Sequence, residues 1–298
     1  MNKTRHFLGL IILLLIGGLY SCLDHRLPVI TPGSNQLRVK TIIQQSINQQ
    51  ATPGSSVSVV SAFSYDNQNR ISSILAYQLP DSTAAPVEKT IYQYDTQSRL
   101  TKVKHSDVRV ASRSETYTLT YEAGNLSGIR NDPSTFGIST TYDATNHPAN
   151  FTKSVVPLGG LQFSDSGSFT YTGNNLTASI EKVLFIRLGE PRPLADYTVN
   201  TTYTYDDKLN PFYGAFIVPA LGSYQPGLLQ GGGVASTLYG GIDNRLNFSQ
   251  NNVLSAVSDG GTTTTYAYTY NAANLPTTRL TTTGGGVTEI RRFEYEPY

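Results

Sequence analysis

Cys22 is the residue with the clearest chemistry, because it is the only cysteine in a chain of 298 residues. Apolar Leu19 stands three positions before it and small Ser21 directly before it, as in a lipobox, although Tyr20 is less usual at the middle position. A single cysteine in an exported chain would otherwise be an unpaired thiol. We therefore predict that the thiol of Cys22 carries a lipid that holds the protein to a membrane.

The segment before Cys22 has the composition of an export signal. Lys3 and Arg5 are followed by an apolar run from Phe7 to Ile16. This run of about ten residues is shorter than the roughly 20 that cross a bilayer as a helix. A basic start followed by a short apolar run is typical of a signal peptide, so we assign residues 1–21 to one. The alternative is an ordinary secretory signal followed by a stray cysteine.

Other residue types offer little chemistry. Asp206 and Asp207 are adjacent carboxylates and are weak candidates for binding a cation, whereas the remaining aspartates that follow a tyrosine are interpreted as turn formers. The histidines have no acidic partner at the spacing of metal ligands. No nucleophile elbow, Cys–His pair or phosphate-binding loop occurs. The sequence therefore predicts no catalytic residues and no cofactor.

The charge balance excludes one class of partner. Without the signal peptide, 20 Lys and Arg residues stand against 21 Asp and Glu residues. A nucleic-acid-binding protein needs a basic stripe, which this composition does not indicate. With no possible disulfide within the chain, stability must come from burial and sheet pairing, and the length suits one domain or at most two.

The segments that would position these residues form a sequence repeat. An aromatic residue, a turn-forming run and an apolar residue recur at intervals of 21 to 43 residues. A repeat of this length is typical of an array architecture. The units start at Tyr65, Tyr94, Tyr121, Tyr142, Tyr171, Tyr205, Phe248 and Tyr270, and the chain closes at Tyr295–Tyr298.

Each unit is interpreted as a β-hairpin. The alternation in 265–270 places every tyrosine on one face of a strand and the Thr and Ala residues on the other. Asp, Asn and Gly supply the turn. Eight hairpins imply about sixteen strands, and a twisted open sheet rarely exceeds about ten. We therefore expect an all-β domain over 57–298, a long antiparallel meander that is strongly curled or barrel-like.

Two further expectations concern the rest of the architecture. Residues 22–56 are predicted to be the lipidated cysteine and a flexible tether, although 36–49 could form a strand or a short helix. A membrane-spanning barrel is the alternative for the domain, because tyrosines form aromatic girdles in such barrels. The face opposite the tyrosines is mainly Thr and Ser, which disfavours contact with lipid.

An apolar, glycine-rich insertion at about 210–246 interrupts the repeat. A long insertion of this kind is where a partner surface can be built. The candidate contact residues are Phe212, Tyr213, Phe216 and Tyr239. The alternative is that the insertion covers the open end of the sheet core.

The repeat resembles known families. The form Tyr-Asp-x-x-Asn/Ser-Arg-Ile/Leu at Tyr65–Ile71 and Tyr94–Leu100 resembles the YD repeats of RHS-type proteins, which build curled β-sheets. Most of 57–298 is more closely similar to Bacteroidetes lipoproteins with a domain of unknown function and a porin-like β fold. The similarity rests on the lipobox, the YD-like spacing and the segment Asp206–Tyr213. It implies a scaffold and no catalytic residues.

Two functions remain open from the sequence. The first is a non-enzymatic binding or scaffold lipoprotein whose Tyr-rich β surface holds a glycan, a peptide or a protein partner. The second is a hydrolase, directed at glycans or peptides, whose carboxylates are brought together by curling of the sheet. Leu23 and Asp24 follow the cysteine without an acidic export run. We expect the outer membrane, either its periplasmic face or the cell surface.

Overall fold

A computed structural model describes residues 37–47, 58–79, 88–108, 114–132, 136–155, 160–215 and 245–298. In these residues sixteen antiparallel strands form one closed barrel, which confirms the prediction of an all-β meander. No helix in this part of the chain is long and apolar enough to cross a membrane. The strands are β1 (Leu37–Ser46), β2 (Ser58–Tyr65), β3 (Ile71–Leu79), β4 (Glu88–Tyr94), β5 (Leu100–Asp107), β6 (Ser114–Glu122), β7 (Asn125–Asp132), β8 (Phe136–Tyr142), β9 (Pro148–Val155), β10 (Leu161–Thr172), β11 (Asn175–Arg187), β12 (Ala195–Leu209), β13 (Asn251–Ser258), β14 (Thr263–Tyr270), β15 (Pro276–Thr283) and β16 (Gly286–Pro297), with a 3-10 helix at Arg245–Phe248 before β13.

The tight turns of the repeat lie together at one end of the barrel, here called the turn end. In the first of them, Asp66 Oδ1 accepts hydrogen bonds from the backbone N–H groups of Gln68 and Arg70, at 2.9 and 3.0 Å. Asn69 takes a left-handed φ of 62°, which Asn tolerates better than most residues. Asp95 repeats these bonds in the next turn. The interpretation of the repeat aspartates as turn formers is confirmed at both positions.

Several repeat tyrosines tie one hairpin to the hairpin before it. The hydroxyl of Tyr94 donates to the backbone carbonyl of Ile71 at 2.8 Å, and that of Tyr121 donates to Leu100, also at 2.8 Å. The guanidinium of Arg70 lies 4.2 Å from the ring centre of Tyr94. These tyrosines are therefore half-buried structural links at the turn end, and they do not form a displayed binding surface.

Strand β1 closes the barrel, so residues 37–46 form the strand that the sequence left open as an alternative for 36–49, and they are not part of a flexible tether. This strand pairs with β2 on one side and with β16 on the other. The last repeat unit contributes β16, and β1 is its partner on the closing side. At the seam, Arg38 Nε donates to Glu296 Oε1 at 2.7 Å, and its guanidinium lies 4.2 Å from the ring centre of Tyr65.

The described ends of the insertion, residues 210–215 and 245–246, and the residues directly after it fill the turn end from inside. Phe212 is only 8 % exposed, and its ring lies 6.3 Å from those of Phe63 and Phe293. Phe248 packs edge-on against Phe169 at 5.1 Å. The expectation of a partner surface is therefore wrong for Phe212, because its side chain is part of the core. The described ends of the insertion instead cover the sheet core, as the alternative interpretation expected.

The outward face of the wall is largely polar. In β14, Thr263, Thr265 and Thr269 are exposed, and the tyrosines between them point inward. Exposed hydroxyls pair across strands, as in Thr204 Oγ1 with Ser255 Oγ at 2.6 Å. Exposed large apolar side chains occur mainly on and beside the long β11–β12 hairpin and on β13 (Ile180, Leu188, Leu194, Tyr197, Leu209, Leu254 and Val257).

Candidate functional site

The inner wall changes character between the two ends of the barrel. At the turn end it is apolar and packed, as the buried cluster around Leu100, Leu176 and Phe212 shows. Farther from the turns, inward positions carry ionisable side chains. They form an acidic cluster on β4–β6 (Glu88, His105, Asp107 and Glu115) and an arginine pair on β15–β16 (Arg279 and Arg291, with Glu289 between them).

Strand register brings the acidic cluster together. Glu88 and Asp107 are direct partners across β4 and β5, and His105 faces Glu115 across β5 and β6. Thr90 and His105 are almost fully buried. Residues two apart on a strand share a face, so Glu88 and Asp107 point into the barrel with them.

Burial sets the protonation of the acidic cluster. It raises the pKa of Glu88 to about 7, and the charge of Asp107 adds to the shift. Burial lowers the pKa of His105 to about 4 against the pull of Asp107, so the imidazole is neutral at pH 7. Thr90 Oγ1 lies 2.9 Å from His105 Nδ1. A carboxyl group that titrates near neutral pH beside a second carboxylate could donate or accept a proton.

Glu115 completes the acidic cluster with a neutral donor beside it. The hydroxyl of Tyr117 donates to Glu115 Oε2 at 2.5 Å. Burial raises the pKa of Glu115, and this hydrogen bond opposes the shift. No Lys or Arg of the described segments forms an ion pair with Glu88 or Glu115.

The arginine pair has the opposite charge. Arg279 and Arg291 are direct partners across β15 and β16. Arg279 Nη2 donates to Glu289 Oε1 at 2.7 Å, and Arg291 Nη2 donates to Glu289 Oε2 at 2.9 Å. Burial and then the charge of Arg279 lower the pKa of Arg291 to about 10, while Glu289 opposes this shift. Both guanidinium groups are therefore charged at neutral pH, and they share one carboxylate.

Other inward ion pairs are balanced one to one. Arg245, at the start of the 3-10 helix, donates through Nη2 to Glu181 Oε2, and its Nη1 reaches Ser179 Oγ at 3.5 Å. Lys153 Nζ lies 3.5 Å from Asp165 Oδ2. The arginine pair is thus distinguished by a positive charge that its single carboxylate does not neutralise.

The two adjacent aspartates of β12 have different surroundings. Asp206 accepts hydrogen bonds from the backbone N–H groups of Lys208 and Asn252, at 2.9 and 3.1 Å, and from the hydroxyl of Tyr270. The Asp207 side chain is 85 % exposed and lies 3.2 Å from Lys208 Nζ. The described segments contain no group of three or more His, Cys, Asp or Glu side chains arranged for a metal ion.

The remaining sequence candidates have different positions. Tyr213 is half-buried beside the core. Cys22, Phe216 and Tyr239 lie outside the described residues. Sequence reasoning missed both inner clusters. His105 and Asp107 follow the apolar Val103 at intervals of two residues, so the alternation of the strand would have placed them on the same inward face.

A groove of about 630 Å³ crosses the outer face of the wall. It is lined mainly by small residues of β8–β10, such as Ser139, Thr152, Ser154, Ser164 and Ser166. Arg130 and Lys182 stand at its two sides, and both are exposed. The inner wall is the stronger candidate, because its charged side chains are withdrawn from water.

The comparisons with known proteins concern shape. The structure is similar to a porin-like protein from Bacteroides uniformis ATCC 8492, with a TM-score of 0.49 and 13% identity over 87% of this chain and 98% of that one. A porin-like protein from Bacteroides vulgatus ATCC 8482 has a TM-score of 0.37 and 12% identity over 88% and 99% of the two chains. No protein-family model matches the sequence, and no curated protein matches it. Similarity at this level leaves the functional conclusion to the residues of this chain.

Proposed function

We propose that the protein is an exported, non-enzymatic barrel that is lipid-anchored at the outer membrane and binds a charged ligand on its inner wall. The observation that carries this proposal is the set of ionisable side chains buried along the wall beyond the apolar core. Withdrawing charges from water is unfavourable, and well-packed apolar residues often give equal or greater stability. The turn end is packed in that apolar way, so the polar half of the wall has a purpose other than stability.

The position of β1 limits how far the turn end can lie from the membrane in the anchored protein. Leu37 begins β1 at the turn end, because it pairs with Pro297 at the end of β16. The fifteen residues from Cys22 to Leu37 span at most roughly 50 Å. Lipid on Cys22 would therefore keep the start of β1, at the turn end, within roughly 50 Å of the membrane.

The polar outer face supports a barrel that lies beside the membrane. A wall in contact with lipid needs an apolar band about 25 Å tall, whereas Thr263, Thr265 and Thr269 are exposed on β14. Either the periplasmic face of the outer membrane or the cell surface fits this arrangement. The ligand class that fits the inner wall is a charged glycan or peptide.

The binding proposal is tested on the chain from Leu23 to Tyr298, which retains all sixteen strands. Charged and neutral glycans and peptides are screened for a rise in thermal unfolding temperature. A rise with charged ligands supports binding, and no rise with any ligand overturns it. Anchoring is tested separately with Cys22→Ala in the full chain. We expect the variant to lose incorporated fatty acid and to leave the membrane fraction, and unchanged fractionation would overturn the anchor.

A hydrolase is the second candidate, and one observation favours it. Glu88 has a pKa near 7 and faces Asp107, so one carboxyl group can hold a proton while the other is ionised. The test is hydrolysis of glycans and peptides by the native barrel and by Glu88→Gln. Activity that disappears in Glu88→Gln would establish the hydrolase. Binding without any turnover would overturn it.

A further inference from the structure

Arg279 of the arginine pair leaves a hydrogen-bond donor unused inside the barrel wall. A guanidinium group has five N–H donors in a fixed plane. The Nε of Arg279 is buried and has no hydrogen-bond partner within the described segments, whereas the Nε of Arg291 lies 2.8 Å from Glu289 Oε1. Arg279 is only 8 % exposed. Buried polar groups in native proteins are nearly always paired with protein or ordered water, so the unpaired Nε of Arg279 points to a group that binds there.

Charge at the pair points the same way. Like charges directly opposite each other on neighbouring strands are destabilising, and Arg279 and Arg291 are such partners. Glu289 supplies one negative charge to two guanidinium groups. One further negative charge would neutralise the group, whereas a phosphate dianion would leave it with one excess negative charge.

The surroundings of the pair suit a planar ligand group. Glu289 itself shows that one carboxylate can take a donor from each guanidinium, at 2.7 and 2.9 Å. Arg279 lies 5.5 Å from the ring centre of Tyr266. Burial raises the pKa of Tyr268 to about 12, so this inward neighbour keeps its hydroxyl proton and can donate to an oxygen.

We propose that Arg279 and Arg291 form a binding site for a single carboxylate group of a ligand, with Glu289 holding the two guanidinium groups in place. This site rests on the proposed function, because it is the anionic-ligand part of the inner wall. A carboxylate could come from an acidic sugar or from the C-terminus of a peptide. Both present the same two oxygens to the arginine fork, which matches a carboxylate geometrically.

The probes are matched pairs that differ in one carboxylate. Oligogalacturonate is compared with its methyl ester, and a hexapeptide with a free C-terminus is compared with its amide. Binding to the chain from Leu23 to Tyr298 is measured by calorimetry. We expect one acid of the two pairs to bind, and its neutral counterpart to bind about 10- to 100-fold more weakly. The pair that shows the difference identifies the source of the carboxylate.

Variants locate the site within the barrel. Arg291→Gln should weaken binding of the acid by about 10- to 100-fold, and Arg291→Lys should recover part of that loss. Arg245→Gln is the control, because Arg245 also has a buried Nε without a partner in the described segments, but its charge is balanced by Glu181. Without ligand, Arg291→Gln should also unfold roughly 2–4 °C higher than the native barrel, since the substitution removes one of two positive charges that face each other.

The outcomes separate this site from the wider proposal. If a neutral counterpart binds as tightly as its acid, or if Arg291→Gln binds the acid unchanged, the carboxylate site is overturned and binding on the inner wall remains. If neither acid binds while other charged ligands stabilise the barrel, the site is also overturned. If no ligand of any class binds, both proposals fail.

Discussion

Glu88 and Asp107 face each other across β4 and β5 on the inner wall of the barrel. Burial of Glu88 and then the charge of Asp107 raise the pKa of Glu88 from 4.5 to about 7. His105, two residues before Asp107, has its pKa lowered from 6.5 to about 4 by burial. The two shifts act on stability in opposite directions.

The pH dependence of stability should change when Glu88 is replaced. The folded protein holds a proton on Glu88 up to pH 7, whereas the unfolded chain releases it near pH 4.5. Glu88 therefore stabilises the fold below pH 4.5, and this contribution is lost as pH rises to 7. His105 offsets part of that loss in the native protein. Burial keeps its imidazole neutral in the fold, whereas the unfolded chain is protonated there below pH 6.5, so this destabilising effect fades as pH rises from about 4 to 6.5. Glu88→Gln should gain stability relative to the native protein over this range, by about 3 kcal/mol.

Urea unfolding of the native barrel and of Glu88→Gln at pH 4.5, 6 and 8 checks this prediction. Glu122→Gln is the control, because Glu122 is exposed. A stability difference that is the same at all three pH values would show that Glu88 titrates normally.

The tyrosine links at the turn end should contribute measurably to stability. Tyr94→Phe removes the donor to the Ile71 carbonyl, so we expect a loss of about 1 kcal/mol. Tyr171→Phe is the matched control, because the Tyr171 hydroxyl is buried without a hydrogen-bond partner in the described segments. Denaturant unfolding should rank Tyr171→Phe at or above the native protein, and equal losses in the two variants would contradict the role of the link.

The turns and the number of strands were accessible from the sequence, because they depend on local chemistry. Asp66 and Asp95 bond to backbone groups only two and four residues away, so the pattern alone predicts their role. The count of sixteen strands is correct for a partly different reason. Tyr205 and Phe248 flank a single hairpin, β12–β13, and β1 with β16 completes the number.

What the sequence alone could not show depends on contacts between distant residues. Leu37 pairs with Pro297, and no local signal distinguishes such a closing strand from a tether that contains a strand. The arginine pair likewise requires the register of β15 against β16, which a bulge between Thr281 and Thr282 shifts by one residue. A single residue of error in that register would turn one arginine to the outer face.

The β1 seam should depend on Arg38. This side chain bonds to Glu296 and lies over Tyr65, so Arg38→Ala should lose about 1–2 kcal/mol from the ion pair and the ring contact. The loss should be local. Amide hydrogen exchange is expected to rise in β1 before it rises in β4–β9. Lys40→Ala, an exposed change on the same strand, is the control, and uniform exchange in Arg38→Ala would argue against a separable seam.

At Gly167 the barrel wall leaves no space for a side chain. A Cβ there would lie 2.1 Å from the Ile180 carbonyl oxygen and 2.7 Å from Phe151 Cε1. The clash with backbone cannot be relieved by rotating a side chain, so β10 and β11 must separate. Gly167→Ala should lose about 3 kcal/mol of unfolding free energy. Gly137→Ala is the matched control, because the nearest atom to its Cβ would be 3.9 Å away. Thermal and urea unfolding of both variants decide the matter, and a Gly167→Ala barrel as stable as Gly137→Ala would show that the two strands are not packed this closely.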